Sequence, residues 1–367
     1  MKKLILTTML LSATILTTTL GFTSSKTTSA ITSKLTECAT TTNAYSASSA
    51  RIVMEQSSGR IFEESNAYAR LPMASTTKVL TAITALEFAL PDEQVTIPAS
   101  AVGIEGSSIY LTAGETLSLK DLLYGLMLRS GNDSAEAIAH HVGGRELFIE
   151  RMNQVAKKAG AENSNFTNPH GLSEDDHYTT AYDLALITKY AFENPLFRQI
   201  SATKSHRATN SDGYTRVFLN KNKILGLTEG GNGVKTGFTK RAGRCLVASA
   251  ERDGMQLISV VLNVGDMWDA CIGMMNRGFA NYQMRQIGWA GVGLMDAPNL
   301  CLKRDIFYPV SKNDEIVFHF QVDGKELKVF AENHLLFSEN LVTMEEWLDL
   351  INSSQIQDMQ AVAVQTS

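Results

Sequence analysis

A chain of 367 residues, 44% hydrophobic and 19% charged, is long enough for a large core, has the composition of a soluble globular protein and suggests two domains. Its net charge of −5, with Lys and Arg scattered along the chain, excludes the basic footprint that nucleic acid requires. Four cysteines (Cys38, Cys245, Cys271 and Cys301) are too few and too spread for a disulfide framework or a zinc site, although a single disulfide stays open.

The chain opens on MKK, followed by the Thr-laced apolar run LILTTMLLSATILTTTLGF and the small polar stretch TSSKTTSA. That is the pattern of a secretory signal peptide over 1–30, with cleavage expected after Ala30. The purely apolar part is short and no stop-transfer charges follow, which argues against a retained membrane span. Export excludes cytoplasmic cofactors such as ATP. Glu37 precedes Cys38 where a lipidation signal wants a small residue, so no lipid is expected there. Residues 31–46, rich in Thr and Ser and aperiodic, read as a spacer.

ARIVMEQSSGRIFEES alternates around an SSG turn and predicts a β-hairpin. Val79, Ile83, Leu86 and Leu90 then recur at helical steps, and 119–129, 134–142, 145–159 and 181–192 also read as helices. Between 233 and 263, GVKTGF, CLVASAE and QLISVVLN predict a meander of antiparallel strands. Strands from both chain ends with helices between them predict an α+β fold, an antiparallel sheet flanked by helices. After about residue 290, EIVFHFQV and ELKVFAE predict a small all-β domain. The expected organisation is a main domain over 47–285, a β-rich domain over 290–340 and a tail over 341–367.

The candidate chemistry begins with PMASTTKVL, where Ser75 and Lys78 share a helix face. A serine hydroxyl needs an adjacent base to act as a nucleophile. A lysine can be that base if burial and a second cation lower its pKa. The plainer reading makes Ser75 a helix cap and Lys78 a solvated charge. SATK at Ser201–Lys204 has the same spacing without an apolar face to desolvate its lysine, so spacing alone carries little. Two further motifs change the case: SGN at Ser130–Gly131–Asn132, in a break between helices, and KTG at Lys235–Thr236–Gly237, opening the meander. Together they supply the parts for serine acyl transfer on a peptide. Ser130 can relay a proton to a leaving amine, Asn132 can hold a substrate amide, and Lys235 can supply positive potential. Thr236 can bind a carboxylate, and Gly237 lets a substrate strand approach the sheet edge. Ser338–Glu339–Asn340 repeats the second spacing but falls after KTG in the β-rich tail, and is read as chance.

ASTTK, SGN and GVKTGFT are similar to the three motifs of penicillin-recognising active-site serine enzymes. LLYGLMLRSGNDSAEAIA, FTNPHGLSEDDHYTTAYDLALI and GVKTGFTKRAGRCLVASA resemble more closely the D-alanyl-D-alanine carboxypeptidase family of low-mass penicillin-binding proteins, from about Ala50 to Phe279. The resemblance implies a β-lactamase/transpeptidase-like fold with 47–285 as the catalytic domain. It makes Ser75 the nucleophile, Lys78 its base and Ser130 the proton shuttle. Asn132 would contact the peptide, Lys235 and Thr236 the terminal carboxylate, and the N–H groups of Ser75 and Phe238 the oxyanion. It further implies peptidoglycan stem peptides as substrate, β-lactams as covalent inhibitors, no metal or organic cofactor, and a location outside the cytoplasm, at the cell wall or the outer face of the cytoplasmic membrane.

Other readings and departures stand beside it. His170 and His177, in a turn-rich stretch, are read with Asn168 and Gly171 as a structural loop at the rim of the site. Adjacent His140 and His141 are read as surface or cap residues, Asp175–Asp176 as a solvated loop tip and Met274–Met275 as core. Many family members carry an arginine just after the strand that is SVVL here, whereas the first one in this chain is Arg277, too far along. The tail has no Lys or Arg, so membrane association through it is expected to be weak or absent. A β-lactamase would need a deacylating glutamate. The nearest is Glu162, but Phe166 stands where the accompanying asparagine belongs, and SGN replaces SDN. A non-catalytic wall-binding protein would not need Ser75, Lys78, Ser130 and Lys235 intact.

Overall fold

The computed structural model describes residues 48–353 except 314 and 332; the expected signal peptide and spacer, Cys38 and residues 354–367 of the tail lie outside the described residues. The chain forms the hairpin β1 (Ala50–Glu55) and β2 (Ile61–Ser65), then a 3-10 turn over Ala74–Thr77 that leads into α1 (Lys78–Phe88). A short pair follows, β3 (Gln94–Thr96) and β4 (Thr116–Ser118), then α2 (Leu119–Tyr124), α3 (Asn132–His141) and α4 (Arg145–Lys158). Next come α5 (Ala181–Ala191), α6 (Pro195–Ala202), the hairpin β5 (Ser205–Thr209) and β6 (Thr215–Leu219), and the single turn α7 (Ile224–Leu227). The meander is β7 (Gly231–Thr239), β8 (Gly243–Arg252) and β9 (Met255–Leu262), and α8 (Met267–Asn281) follows it. The remaining strands are β10 (Tyr282–Gly288), β11 (Leu300–Leu302), β12 (Ile306–Ser311), β13 (Phe318–Asp323), β14 (Glu326–Ala331) and β15 (His334–Thr343), after which 344–353 are helical.

The main sheet is antiparallel in the order β2-β1-β9-β8-β7, so the N-terminal hairpin and the later meander do build one sheet, in the expected α+β arrangement. Helices cover both of its faces, which is why β8 and β9 read as continuous apolar runs instead of alternating ones. Val247, Ile258 and Val260 face the core that includes α1 and α5. Leu246, Ala248, Leu257 and Val261 face Cys271, Met274 and Met275 of α8. Each such large side chain contributes about 1.5–3 kcal/mol on burial.

Helix α1 differs from its sequence pattern. Every residue from Lys78 to Ala85 is buried, on all faces. It is a central helix packed by α4, α5 and α3, not a surface helix with one apolar stripe. Leu90, the expected end of the stripe, lies past the helix end at Phe88 and is exposed. This enclosure removes Lys78 from water.

The C-terminal strands form a β10–β12 pair and a sheet in the order β11-β15-β14-β13, around Ile287, Tyr308, Val329 and Leu341. They meet the main sheet at β2. Phe62 stacks on Tyr282 at 3.9 Å between centroids, and Arg60 lies over the Tyr282 and Tyr308 rings while donating to Pro309 O at 2.6 Å. Among the described residues no helix is long and apolar enough to cross a membrane.

Candidate active site

Ser75 is not a helix cap. It sits inside the 3-10 turn before α1, where Thr76 Oγ1 bonds Met73 O at 2.6 Å and Thr77 Oγ1 bonds Ala74 O at 2.9 Å. Ala74, just before it, has φ 50°, a left-handed conformation that costs a non-glycine residue about 1 kcal/mol. The turn is held from outside by Gly171. A Cβ there would lie 2.0 Å from Ala74 O and 2.9 Å from Thr77 Oγ1, so only glycine permits this contact.

Lys78 is fully buried, with its amine enclosed by three oxygens. Ser75 Oγ lies at 3.1 Å, Asn132 Oδ1 at 2.7 Å and the His170 carbonyl at 2.5 Å. Burial first, and the charge of Lys235 second, hold this amine well below its ordinary range.

Ser130 and Asn132 are placed by a break in the helical run. The 119–129 segment begins as α2, capped by Ser118 accepting from Asp121 N at 3.0 Å, and widens into a π-type turn over Gly125–Arg129. Ser130 ends that turn with φ 67°, buried, and α3 restarts at Asn132. Such widened turns recur at functional sites because they re-aim the residues that follow. Asn132 is engaged at both ends: Nδ2 donates to Glu105 O at 2.5 Å while Oδ1 faces Lys78. The neighbouring Asp133 carboxylate accepts from Ser108 Oγ, Ile109 N and Leu111 N, and so pins the loop that carries Ser107.

Strand β7 is an edge of the main sheet and brings in the third motif. A Cβ on Gly237 would lie 3.0 Å from Met73 O and 3.1 Å from the N atoms of Ser75 and Thr76, so the strand runs directly against the Ser75 turn. Lys235 is buried, donates to Thr236 O at 3.1 Å, and is pulled down to about 7 by burial and then by the charge of Lys221. A cavity of about 440 Å³ opens here, with Ser75, Ser130, Thr236, Gly237 and Phe238 in its wall. The three motifs therefore converge on one cleft.

Sequence reasoning missed other residues of that wall: Ser107, Lys221, Arg244, Met267 and Trp268. Arg244 is opposite Phe238 in the β7–β8 pairing, and Nη1 donates to Gly265 O at 3.2 Å. Gly265 belongs to the segment after SVVL where the family pattern carries its arginine. A guanidinium thus reaches that segment from the adjacent strand, and the register of the β7–β8 hairpin was the signal that could have located it. Arg277 is committed elsewhere, to Glu63 at 2.8 Å.

The histidine loop lies deeper than a rim. His170 and His177 are buried, and His177 Nε2 is 2.9 Å from Thr77 Oγ1. Burial pushes His177 down to about 4. Asn168 Oδ1 accepts from His170 N and Gly171 N at 3.3 and 2.7 Å and shapes the loop. His140 is exposed against Ser100, and His141 pairs with Glu93. Asp175 is exposed at its loop tip and reaches Arg241. Cys245, Cys271 and Cys301 are buried free thiols. Glu162 is exposed, and Phe166 is buried edge-on against His177.

A family model described as D-alanyl-D-alanine carboxypeptidase matches residues 36–266. The chain is 34% identical over 224 residues to the D-alanyl-D-alanine carboxypeptidase DacF of Bacillus subtilis, a match that takes in 59% of this chain and 57% of DacF. It thus spans less than two thirds of that relative. Among solved structures, a D-alanyl-D-alanine carboxypeptidase of Mycobacterium tuberculosis is similar with a TM-score of 0.61 at 31% identity, over 63% of this chain and 90% of that one. The D-alanyl-D-alanine carboxypeptidase DacD of Francisella tularensis shares the fold over 80% of this chain and 92% of its own, with a TM-score of 0.64 and 24% identity. The family model covers most of the chain and all three motifs that meet at the cleft, and on that ground this chain belongs to the D-alanyl-D-alanine carboxypeptidase family.

Proposed function

We propose that the protein is a serine-type carboxypeptidase that removes the terminal D-alanine from peptidoglycan stem peptides through an acyl-enzyme on Ser75. The observation that carries this reading is the set of three oxygens around the Lys78 amine. A neutral amine has two N–H bonds and one lone pair. The Asn132 amide oxygen and the His170 carbonyl can only accept, so they take the two hydrogens. The lone pair is left facing Ser75 Oγ, which is the geometry of a general base on a hydroxyl.

The Ser75 proton passes to Lys78 as Oγ attacks the carbonyl carbon of the penultimate residue. The oxyanion that forms is met by the N–H groups of Ser75 and Phe238, donors of a kind typically worth about 3–4 kcal/mol each. The proton then moves through Ser130 to the leaving nitrogen, the peptide C–N bond breaks and D-alanine departs. Water hydrolyses the Ser75 ester with Lys78 again as base. Lys235, Thr236 and Arg244 hold the terminal carboxylate. Asn132 Nδ2 has a second hydrogen, beyond the one given to Glu105, for a substrate carbonyl. Penicillins enter as mimics of the same peptide and leave a covalent adduct on Ser75.

The leader over 1–30 supports export, so the enzyme acts outside the cytoplasm on the wall, with weak or no membrane association through its tail. The exposed position of Glu162 favours this reading over a β-lactamase. Ser75→Ala is the test. D-alanine release from a D-Ala-D-Ala peptide and the penicillin mass adduct on the intact protein should both vanish. Release that persists at the wild-type rate rejects the assignment.

A further inference from the structure

We propose that Glu136 and His170 are a positioning pair for Lys78, acting through the His170 carbonyl; this rests on Lys78 being the base. Helix α3 presents Asn132 and Glu136 one turn apart on the same face. Asn132 Oδ1 meets the amine directly at 2.7 Å. Glu136 Oε1 is 3.2 Å from His170 Nε2, and the carbonyl of that same histidine accepts from Lys78 at 2.5 Å. One helix face therefore controls both acceptors that fix the amine.

The histidine ring is held at both nitrogens. Leu172 N donates to Nδ1 at 3.1 Å, so the ring proton is on Nε2 and points at Glu136. Both partners are nearly inaccessible, Glu136 at 4% and His170 at 6% exposure. A buried carboxylate costs stability unless it is paired and hydrogen-bonded. Glu136 is paired, to His170 inside and to Arg145 at 3.3 Å outside. Burial raises its pKa, but the hydrogen bond from His170, with the Arg145 guanidinium beside it, outweighs this and keeps it below the usual carboxylate range. Among the described residues, Lys78, His177 and Arg145 face the pair, and Glu174 lies against His177 and Arg145. Neither Glu136 nor His170 touches the cavity wall described above, so their influence on the reaction is through the direction of one carbonyl.

Acylation of the full chain by a chromogenic penicillin, followed by stopped flow across penicillin concentrations, separates pre-covalent binding from the limiting acylation rate. Glu136→Ala is expected to lower the limiting rate about 10-fold or more while leaving the dissociation constant within about twofold, because a misaimed base costs rate and not binding. Glu136→Gln, whose amide oxygen accepts the same Nε2–H, is expected to recover most of the loss. His170→Ala removes the ring from a loop and not from a helix, is expected to be as slow as Glu136→Ala, and decides the matter if Glu136→Ala does not melt cooperatively. The pair is overturned if Glu136→Ala or His170→Ala acylates at the wild-type rate, if Glu136→Gln is as slow as Glu136→Ala, or if the loss falls in binding. A wild-type protein that is not acylated at all would instead reject the proposed function.

Discussion

Replacing Lys235 by Met is expected to destroy activity and stabilise the fold, by an amount that shrinks as pH rises. Lys235 is 2% exposed and is pulled down to about 7 by burial and the charge of Lys221. In the unfolded chain the same amine titrates near its ordinary value of about 10.4. Between those two pH values the unfolded state binds more protons than the folded one, so this group's contribution makes stability rise with pH. At pH 7 the penalty for stripping the proton, set by the gap between about 10.4 and about 7 and reduced by the half-protonation of the folded form, is about 4 kcal/mol. At pH 9 it falls to about 2 kcal/mol, and it is gone above about pH 10.5. A chain of this length gains roughly 1.5 °C in Tm per kcal/mol, so Lys235→Met should melt about 6 °C above wild type at pH 7 and about 3 °C above it at pH 9. Calorimetry of both proteins at the two pH values checks this, and their difference cancels all other titrations. A Tm gain that is equal at pH 7 and pH 9, or a loss at pH 7, refutes the account of Lys235 as a desolvated cation.

The same amines shape the rate. kcat/KM should rise with pH as Lys78 loses its proton and fall as Lys235 loses its own, near 7, and Lys235→Arg should remove the alkaline limb. Gly171→Ala should lower kcat/KM by about 100-fold and reduce Tm, because the new Cβ collides with Ala74 O beside Ser75, the proposed nucleophile. Gly103→Ala, also left-handed but facing open space, should cost Tm with little change in rate, and similar losses in both variants would reject the collision. Arg244→Ala should cut kcat/KM about 10–100-fold for a peptide with a free C-terminal carboxylate and leave the C-terminal amide unaffected. Equal losses on both peptides would show that Arg244 acts otherwise.

The motifs were legible in the sequence because each needs only local chemistry: a serine and lysine one turn apart, a serine and asparagine at a helix break, and a glycine in a strand. The antiparallel meander was legible from its apolar runs and turns, and the shared sheet from strands on either side of the helical stretch. What escaped were residues whose importance depends on register and packing. Arg244 looks like one more charge in TKRAGR until pairing sets it opposite Phe238 and aims it at Gly265. Glu136 looks like a surface acid on α3 until the 168–172 loop covers it. Leu90 shows the opposite case, an apolar residue in phase with a helix that ends two residues before it, at Phe88.

By itself, then, the order of residues determined which reactive groups the chain owns and the strands and helices that carry them, because propensity and periodicity act over a few neighbours. Whether Lys78 is a solvated cation or a buried amine with a lowered proton affinity was decided only by the tertiary structure. An amine changes its proton affinity through the loss of water and the approach of Lys235, which is 157 positions away along the chain and next to it in the fold.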